Sequence, residues 1–395
     1  MRGIRLGSAF GIPIKLDLTF LLILPLFAWL IGSDVANLVV VLNDVFGAGM
    51  SADALTGGTT PWLLGAAAAT GLFLCVLLHE FGHSLVAMHY GYHIDSITLW
   101  LFGGVARFTE MPENWRQEFT IAVAGPIVSI GLGALSYVAF RIVPVELPTV
   151  QFVLTYLALT NVALAVFNML PGFPMDGGRV LRALLARTRP HARATQIAAE
   201  VGKLFAIVLA LVGLFANLFL VALAFFIYIG ASSEAQQTVM KAAFEGVTVG
   251  DIMTPAEELK TVTADTSLTT LTDRMFRERH TGYPVLRGGN LVGMVTLDDT
   301  REVREVERDA YRVEDVMATD LVTITPDADA MDAISTMQQE GVGRLPVVDD
   351  EGNLVGLISR SDLVTAFNII QSGGSAASAD SGLGRLSSNP GFARR

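Results

Sequence analysis

The first 246 residues carry a series of apolar runs long enough to cross a bilayer, and no other feature constrains the fold as strongly. A spanning helix needs about 20 apolar residues, and lipid tolerates backbone only where its polar groups are satisfied internally. Trp62 to Tyr90, Phe119 to Phe140 and Val150 to Leu170 meet that length. Leu18 to Gly32 is shorter and flanked by Lys15 and Asp17. Ile197 to Tyr228 is too long for one span and has Ala216 and Asn217 midway. It reads as two helices, from about Ala194 to Phe215 and Leu218 to Ala235, with a tight turn between them. Val35 to Phe46 is short and interrupted by Asn37, Asn43 and Asp44, which suits an interfacial helix or loop. The expected fold is therefore a polytopic α-helical membrane protein with about six transmembrane helices, followed by a soluble α/β module.

Charge orients the spans. Arg2, Arg5 and Lys15 precede the first helix, and Arg179, Arg182, Arg187, Arg189 and Arg193 lie between the fourth and fifth. The opposite loops offer Arg141 and little else. Lys and Arg favour the cytoplasmic face. The expectation is a multi-pass cell-membrane protein with both ends, the arginine-rich loop and the soluble module in the cytoplasm. No small-residue cleavage site follows the first apolar run, so a cleavable signal peptide is not expected.

A mean hydropathy of +0.51 and a net charge of −11 average two unlike parts. Val247 to Gln371 holds 23 acidic and 11 basic residues, a net of −12, and the remainder carries +1. The acidic balance excludes nucleic acid as a partner, since no basic patch with aromatics is present. The single cysteine, Cys75, excludes a disulfide framework. Ser372 to Arg395 is rich in Ser, Gly and Ala without apolar period and reads as a disordered tail.

Within the second long run stands His79-Glu80-Phe81-Gly82-His83. Residues four apart share one helical face, so His79 and His83 can offer two imidazoles to one Zn²⁺ with Glu80 beside them as general base. Three ionisable residues inside a span cost several kcal/mol unless they bind something. If the helix ends near Tyr90, His83 lies about 10 Å and His79 about 16 Å inside that end. A catalytic zinc also wants a third protein ligand and an open position for water. On a continuing helix His89 points away from the metal, and His93, about 15 Å further along, is too far. Asp176 is the better candidate. It follows Pro171 and Pro174 and precedes Gly177 and Gly178, and such broken backbone at membrane depth can aim a carboxylate sideways.

These two segments together resemble the site-2 proteases, intramembrane zinc metalloproteases. The carriers are H-E-F-G-H at His79 to His83 and N-x-x-P-x-x-P-x-D-G-G-R at Asn168 to Arg179. The resemblance covers the whole membrane part. It implies zinc held by His79, His83 and Asp176, one ion per chain, and water activated by Glu80. It also implies that Asn168 helps hold the substrate or its oxyanion. Leu101 to Phe108 reads as a short hairpin, in the place where family strands hold the substrate in extended form. Ala124-Gly125-Pro126 suggests close helix packing through small residues.

The acidic module is an internal repeat. Val249 to Met253 recurs as Val313 to Met317, 64 positions later. Gly282-Tyr283-Pro284-Val285 recurs as Arg344-Leu345-Pro346-Val347, and Leu291 to Thr296 as Leu354 to Ser359. One supersecondary unit used twice suggests an intramolecular pair. The repeats resemble tandem CBS domains, over 247–307 and 308–371. That resemblance implies an adenine nucleotide (ATP, ADP or AMP), held by Thr296 with Asp299 and by Ser359 with Asp362. The strong negative charge works against a polyanion, and Arg344 and Arg360 could offset it.

The expected function is thus an intramembrane zinc endopeptidase, active in regulated intramembrane proteolysis. Its partners would be membrane proteins with a transmembrane helix, and the CBS pair would regulate it by binding nucleotide. A homo-oligomer is compatible with the sequence. Two alternatives are an inactive relative that binds membrane proteins as a scaffold, and a CBS-gated transporter. The intramembrane ionisable residues cluster at one site rather than along a through-path, which disfavours the transporter.

Overall fold

A computed structural model describes residues 4–100, 103–108, 112 and 114–383. It forms two compact units, Met1–Thr238 and Val239–Arg395.

The membrane unit opens with an antiparallel hairpin, β1 (Ile4–Ala9) and β2 (Ile12–Leu16), turning at Phe10 and Gly11, both at positive φ. Helices α1 (Phe20–Ser33), α2 (Val35–Phe46) and α3 (Ala52–Thr56) follow. Then comes the 30-residue α4 (Thr60–His89), the hairpin β3 (Ile94–Trp100) and β4 (Gly103–Phe108), and α5 (Trp115–Ile142). The unit is completed by α6 (Pro148–Asn168), α7 (Asp176–Ala186), α8 (His191–Ala216) and α9 (Leu218–Ala243), the last of which runs on past Thr238.

Among the described residues α4, α5, α6, α8 and α9 are each long and apolar enough to cross a membrane. The first expected span is different. Its 14 residues in α1 reach about 21 Å at 1.5 Å per residue, short of the roughly 30 Å hydrocarbon core. It passes as a span only together with α2, to which it is bent by 73°. The structure therefore has five such helices, or up to six if the bent pair counts as one. The break at Asn217 is where the sequence places it, and the Asn217 side chain accepts from the Phe219 N–H at 2.9 Å.

The four strands form one sheet in the order β1-β2-β3-β4, with β2 and β3 parallel and the other pairs antiparallel. The segment expected to be a whole hairpin is only its second strand. Gly103–Phe108 pairs with Ile94–Trp100, and Leu101 and Phe102 lie outside the described residues. The sheet packs Ile12, Ile94 and Ile97 against Phe81 and Ala87 of α4 and Ile121 of α5.

The second unit contains α10 (Val249–Ile252), β5 (Thr254–Pro255), β6 (Val262–Thr263), α11 (Leu268–Glu278), β7 (Gly282–Arg287), β8 (Asn290–Thr296) and α12 (Leu297–Arg301). The second repeat supplies α13 (Ala330–Gln339), β9 (Arg344–Val348), β10 (Leu354–Ser359) and α14 (Arg360–Leu383). The two sheets run β6-β7-β8 and β5-β10-β9. The repeats exchange their leading segments. β5 of the first pairs with β10 of the second, while Ala318 of the second bridges to Met294 in β8 of the first. Each core is completed by the other repeat: Val313 packs with Leu268, Leu271 and Tyr283, and Val249 with Ala333, Met337 and Leu345. This exchange explains why one repeat would leave apolar surface bare and two close on each other.

The segment from Ser372, expected to lack order, continues α14 as far as Leu383. The rest of the expected tail, 384–395, lies outside the described residues.

Candidate metal centre

His79 and His83 stand one turn apart on α4, at 4 % and 3 % exposure. Their Nε2 atoms are 3.2 Å apart. Asp176, the first residue of α7, places Oδ2 3.1 Å from His79 Nε2 and 3.2 Å from His83 Nε2. Three donor atoms from two elements, 97 and 93 residues apart in sequence, thus form one nearly equilateral triangle.

The ring nitrogens on the far side decide what the near ones can do. His83 Nδ1 lies 2.7 Å from the Ile121 carbonyl, which only accepts, so Nδ1 carries the hydrogen. In the neutral ring His83 Nε2 then presents a lone pair. His79 Nδ1 is held 2.9 Å from Ser129 Oγ. Lone pairs and a carboxylate oxygen crowded together repel unless a cation is shared among them. Four tetrahedral donors at about 2.0–2.1 Å from zinc stand roughly 3.3–3.4 Å apart. The triangle matches that spacing, its donors are of the right chemical type, and each imidazole is oriented by a partner on its other nitrogen. The residues therefore fit zinc, which His79, His83 and Asp176 could hold together.

Local sequence explains the aim of each group. α6 ends at Asn168, and residues 169–175 turn back before α7 begins. Gly177 and Gly178 let this turn lie directly on the first turn of α7: an added Cβ would stand 2.5 Å from the carbonyl carbon of Met169 or of Gly172. Asp176 is fixed by that backbone contact. On α5, Ile121, Gly125 and Ser129 fall at four-residue spacing on one face. The carbonyl of the first and the hydroxyl of the last hold the two imidazoles. Gly125, between them, makes room: a Cβ there would overlap His83 Nε2 and stand 2.7 Å from His79 Nε2. Small residues at Ala124 to Pro126 signalled close packing in the sequence. That this packing is against the imidazoles themselves was not visible, and the orienting roles of Ile121 and Ser129 were missed. The four-residue stripe was the available signal.

Glu80 is half-buried beside the two histidines and faces β4, where a Cβ on Gly104 would stand 3.1 Å from Glu80 Cδ. Asn168 is half-buried at the last turn of α6, and among the described residues its side chain has no hydrogen-bond partner. His89 is exposed at the end of α4, with its ring against Tyr90, and neither it nor His93 belongs to the cluster.

In the second unit the paired residues have a structural task. Thr296 caps α12, its hydroxyl donating to Asp299 Oδ2 at 2.8 Å, while the Asp299 carboxylate also accepts from the Thr296 N–H at 2.6 Å. Ser359 and Asp362 repeat the arrangement at the start of α14, at 2.7 and 2.9 Å. The two pairs differ in setting. Thr296 and Asp299 line a cavity of about 520 Å³ with Thr281, Asp320, Gly343 and Arg344, whereas Ser359 and Asp362 do not. Arg344 Nη2 donates to Thr281 Oγ1 at 2.8 Å. Its guanidinium fills the space that a side chain at Gly282, its counterpart in the first repeat, would need.

Comparison with known proteins agrees with both halves. Residues 67–149 and 144–209 match peptidase family M50, and 249–305 and 313–369 each match the CBS domain. A zinc metalloprotease of Methanocaldococcus jannaschii is 33 % identical over 369 residues, covering 93 % of this chain and 97 % of that protein. Among solved structures, a site-2 protease from the same organism is 33 % identical, with a TM-score of 0.41 over 59 % of this chain and 95 % of that one. CBSX2, solved in complex with AMP, is 30 % identical, with a TM-score of 0.29 over 31 % of this chain and 98 % of that one.

Proposed function

The chain belongs to the site-2 protease family of zinc metalloproteases, peptidase family M50, with a C-terminal CBS pair, and on that premise we propose that it is an intramembrane endopeptidase cleaving transmembrane segments of other membrane proteins. The observation that carries this reading is the triangle of His79, His83 and Asp176, 3.1 to 3.2 Å on a side, with Glu80 next to it on the same helix.

Zinc bound there would lower the pKa of a coordinated water and polarise the scissile carbonyl. Glu80 takes the proton of the attacking water on its carboxylate and returns it to the leaving amine nitrogen. The Asn168 amide N–H₂ is available to the substrate's carbonyl oxygen as negative charge develops on it. A substrate helix hides its carbonyls in i→i−4 hydrogen bonds, so it must unwind locally before attack. Helix-breaking residues near the cleaved bond should favour the reaction. The basic residues Arg2, Arg5, Lys15 and the arginines from Arg179 to Arg193 support a cytoplasmic placement of the ends in the cell membrane.

The CBS pair is read as the regulator. Its cavity suits an adenine nucleotide, with Asp299 at the ribose hydroxyls and Thr296 and Arg344 at the phosphate. Regulation requires the nucleotide to bind two states of the protein unequally.

The test is chelation and restoration on the purified protein with a single-span substrate in liposomes. Stripping the metal should abolish cleavage, and one equivalent of Zn²⁺ per chain should restore it. Cleavage that survives complete metal removal would refute the metalloprotease reading.

A further inference from the structure

Arg182 is buried in the membrane unit at 4 % exposure, six residues along α7 from Asp176. Its Nε donates to Glu118 Oε1 at 2.5 Å and its Nη1 to Glu234 Oε1 at 2.9 Å. Its guanidinium also stacks on the Phe173 ring, 5.0 Å from the centroid. Each contact reaches a different part of the metal site's support. Phe173 lies in the turn that delivers Asp176 and packs, fully buried, against Ala198, Ala199 and Ala231. Glu118 lies in the first turn of α5, three residues before Ile121, whose carbonyl orients His83. Glu234 lies on α9, the helix by which the chain leaves this unit.

A charge group of this kind is not cheap to keep. Ion pairs buried at low dielectric are seldom more stabilising than apolar packing of the same volume, because desolvation offsets the attraction. Glu118 is itself only 4 % exposed, and its second oxygen has no partner among the described residues. The cluster does, however, fix geometry. A planar guanidinium with donors in a rigid fork sets distances between three elements at once, which a lysine ammonium or an apolar side chain does not. It ties the helix that begins at Asp176 to the first turn of α5 by a polar contact other than the one that runs through His83.

We propose that Arg182 is a positioning residue of the metal centre. It holds the Asp176 turn in register with the α5 segment that orients His83, and its Glu234 arm makes that register responsive to α9. This rests on the metalloprotease reading and deepens it. It identifies the contact through which a movement of α9 would loosen Asp176 from the two histidines.

The test compares wild type with Arg182→Met and Arg182→Lys in detergent. The two readings are Zn²⁺ affinity by chelator competition and the d–d spectrum of the Co²⁺-substituted protein. Both report on the metal site itself, so a merely structural role would leave them unchanged in folded protein. Arg182→Met should weaken Zn²⁺ about 10- to 100-fold, the range seen when an orienting partner of a ligand is lost. It should also shift the Co²⁺ bands as the carboxylate leaves, and Arg182→Lys should recover part of each. Wild-type affinity and spectrum in Arg182→Met would overturn the proposal. If that variant does not accumulate as folded protein, Glu234→Gln decides: weakened Zn²⁺ supports the brace, and unchanged Zn²⁺ overturns it. Failure of the wild type itself to bind Zn²⁺ would instead refute the metalloprotease reading.

Discussion

Gly125 on α5 and His83 on α4 approach so closely that no side chain fits between them; the methyl of an alanine at 125 would overlap His83 Nε2 and crowd His79 Nε2 at 2.7 Å. Neither imidazole can step aside without losing its bond to the Ile121 carbonyl or to Ser129 Oγ. Gly125→Ala should therefore weaken Zn²⁺ at least tenfold and abolish cleavage. Overpacking of this kind costs about 1–3 kcal/mol, so helix content by circular dichroism should be retained. Wild-type Zn²⁺ affinity in this variant would show that the helices separate freely.

Asp176→Asn tests the third ligand. The change keeps the volume but replaces the anionic oxygen that lies 3.1 and 3.2 Å from the imidazoles. Zinc content after dialysis should fall well below one per chain, with cleavage lost in parallel. His89→Ala should leave both unchanged, because His89 stands exposed at the end of α4 and outside the cluster.

The two CBS pairs are alike as caps and unlike as cavity residues. Thr296→Ala and Ser359→Ala should each cost roughly 0.5–2 kcal/mol of stability as lost N-caps. Only Thr296→Ala should also weaken AMP, by about three- to tenfold for one hydrogen bond. Only Thr296 and Asp299 of the two pairs line the 520 Å³ cavity. Calorimetric titration of AMP into the full-length protein separates the two effects. Equal loss of AMP binding in both variants would contradict this assignment.

Tyr283 provides a pH signature for the second unit. Burial and the hydrogen bond its hydroxyl donates to Glu278 at 2.9 Å push its phenol up to about 12. An unfolded tyrosine ionises near 10. The folded state therefore keeps the proton longer, and the stability this gives is complete below about pH 10 and lost as pH rises through about 12. Tyr283→Phe should make the urea midpoint less sensitive to pH between 10 and 12. An unchanged pH dependence would contradict the role given to this hydroxyl.

What the sequence made legible follows from what leaves a residue-type signature. His79, Glu80 and His83 were readable because the 3.6-residue period puts ligands four apart on one face, and Asp176 because prolines and glycines around an acid mark broken backbone. The spans from α4 onward were readable from apolar length. Ile121 was not, since its contribution is a backbone carbonyl, which any residue supplies. The hairpin β1–β2 was hard to read because its strands are only six and five residues long and Pro13 stands inside the second, although Ile12, Ile14 and Leu16 alternate there. The shortness of α1 was legible, Leu18 to Gly32 against Phe20–Ser33, whereas the 73° bend that joins it to α2 was not, because hydropathy does not register direction. The Arg182 cluster was missed because Glu118 and Glu234 stand 64 and 52 residues away from it in sequence.

The central claim is that Glu80 moves the proton while His79, His83 and Asp176 hold the metal. The most direct measurement is made on purified Glu80→Gln beside wild type: zinc per chain by elemental analysis, and cleavage of a single-span substrate in liposomes. The account predicts one zinc per chain in both proteins and cleavage in the wild type alone. Retained cleavage by Glu80→Gln with zinc in place would contradict it.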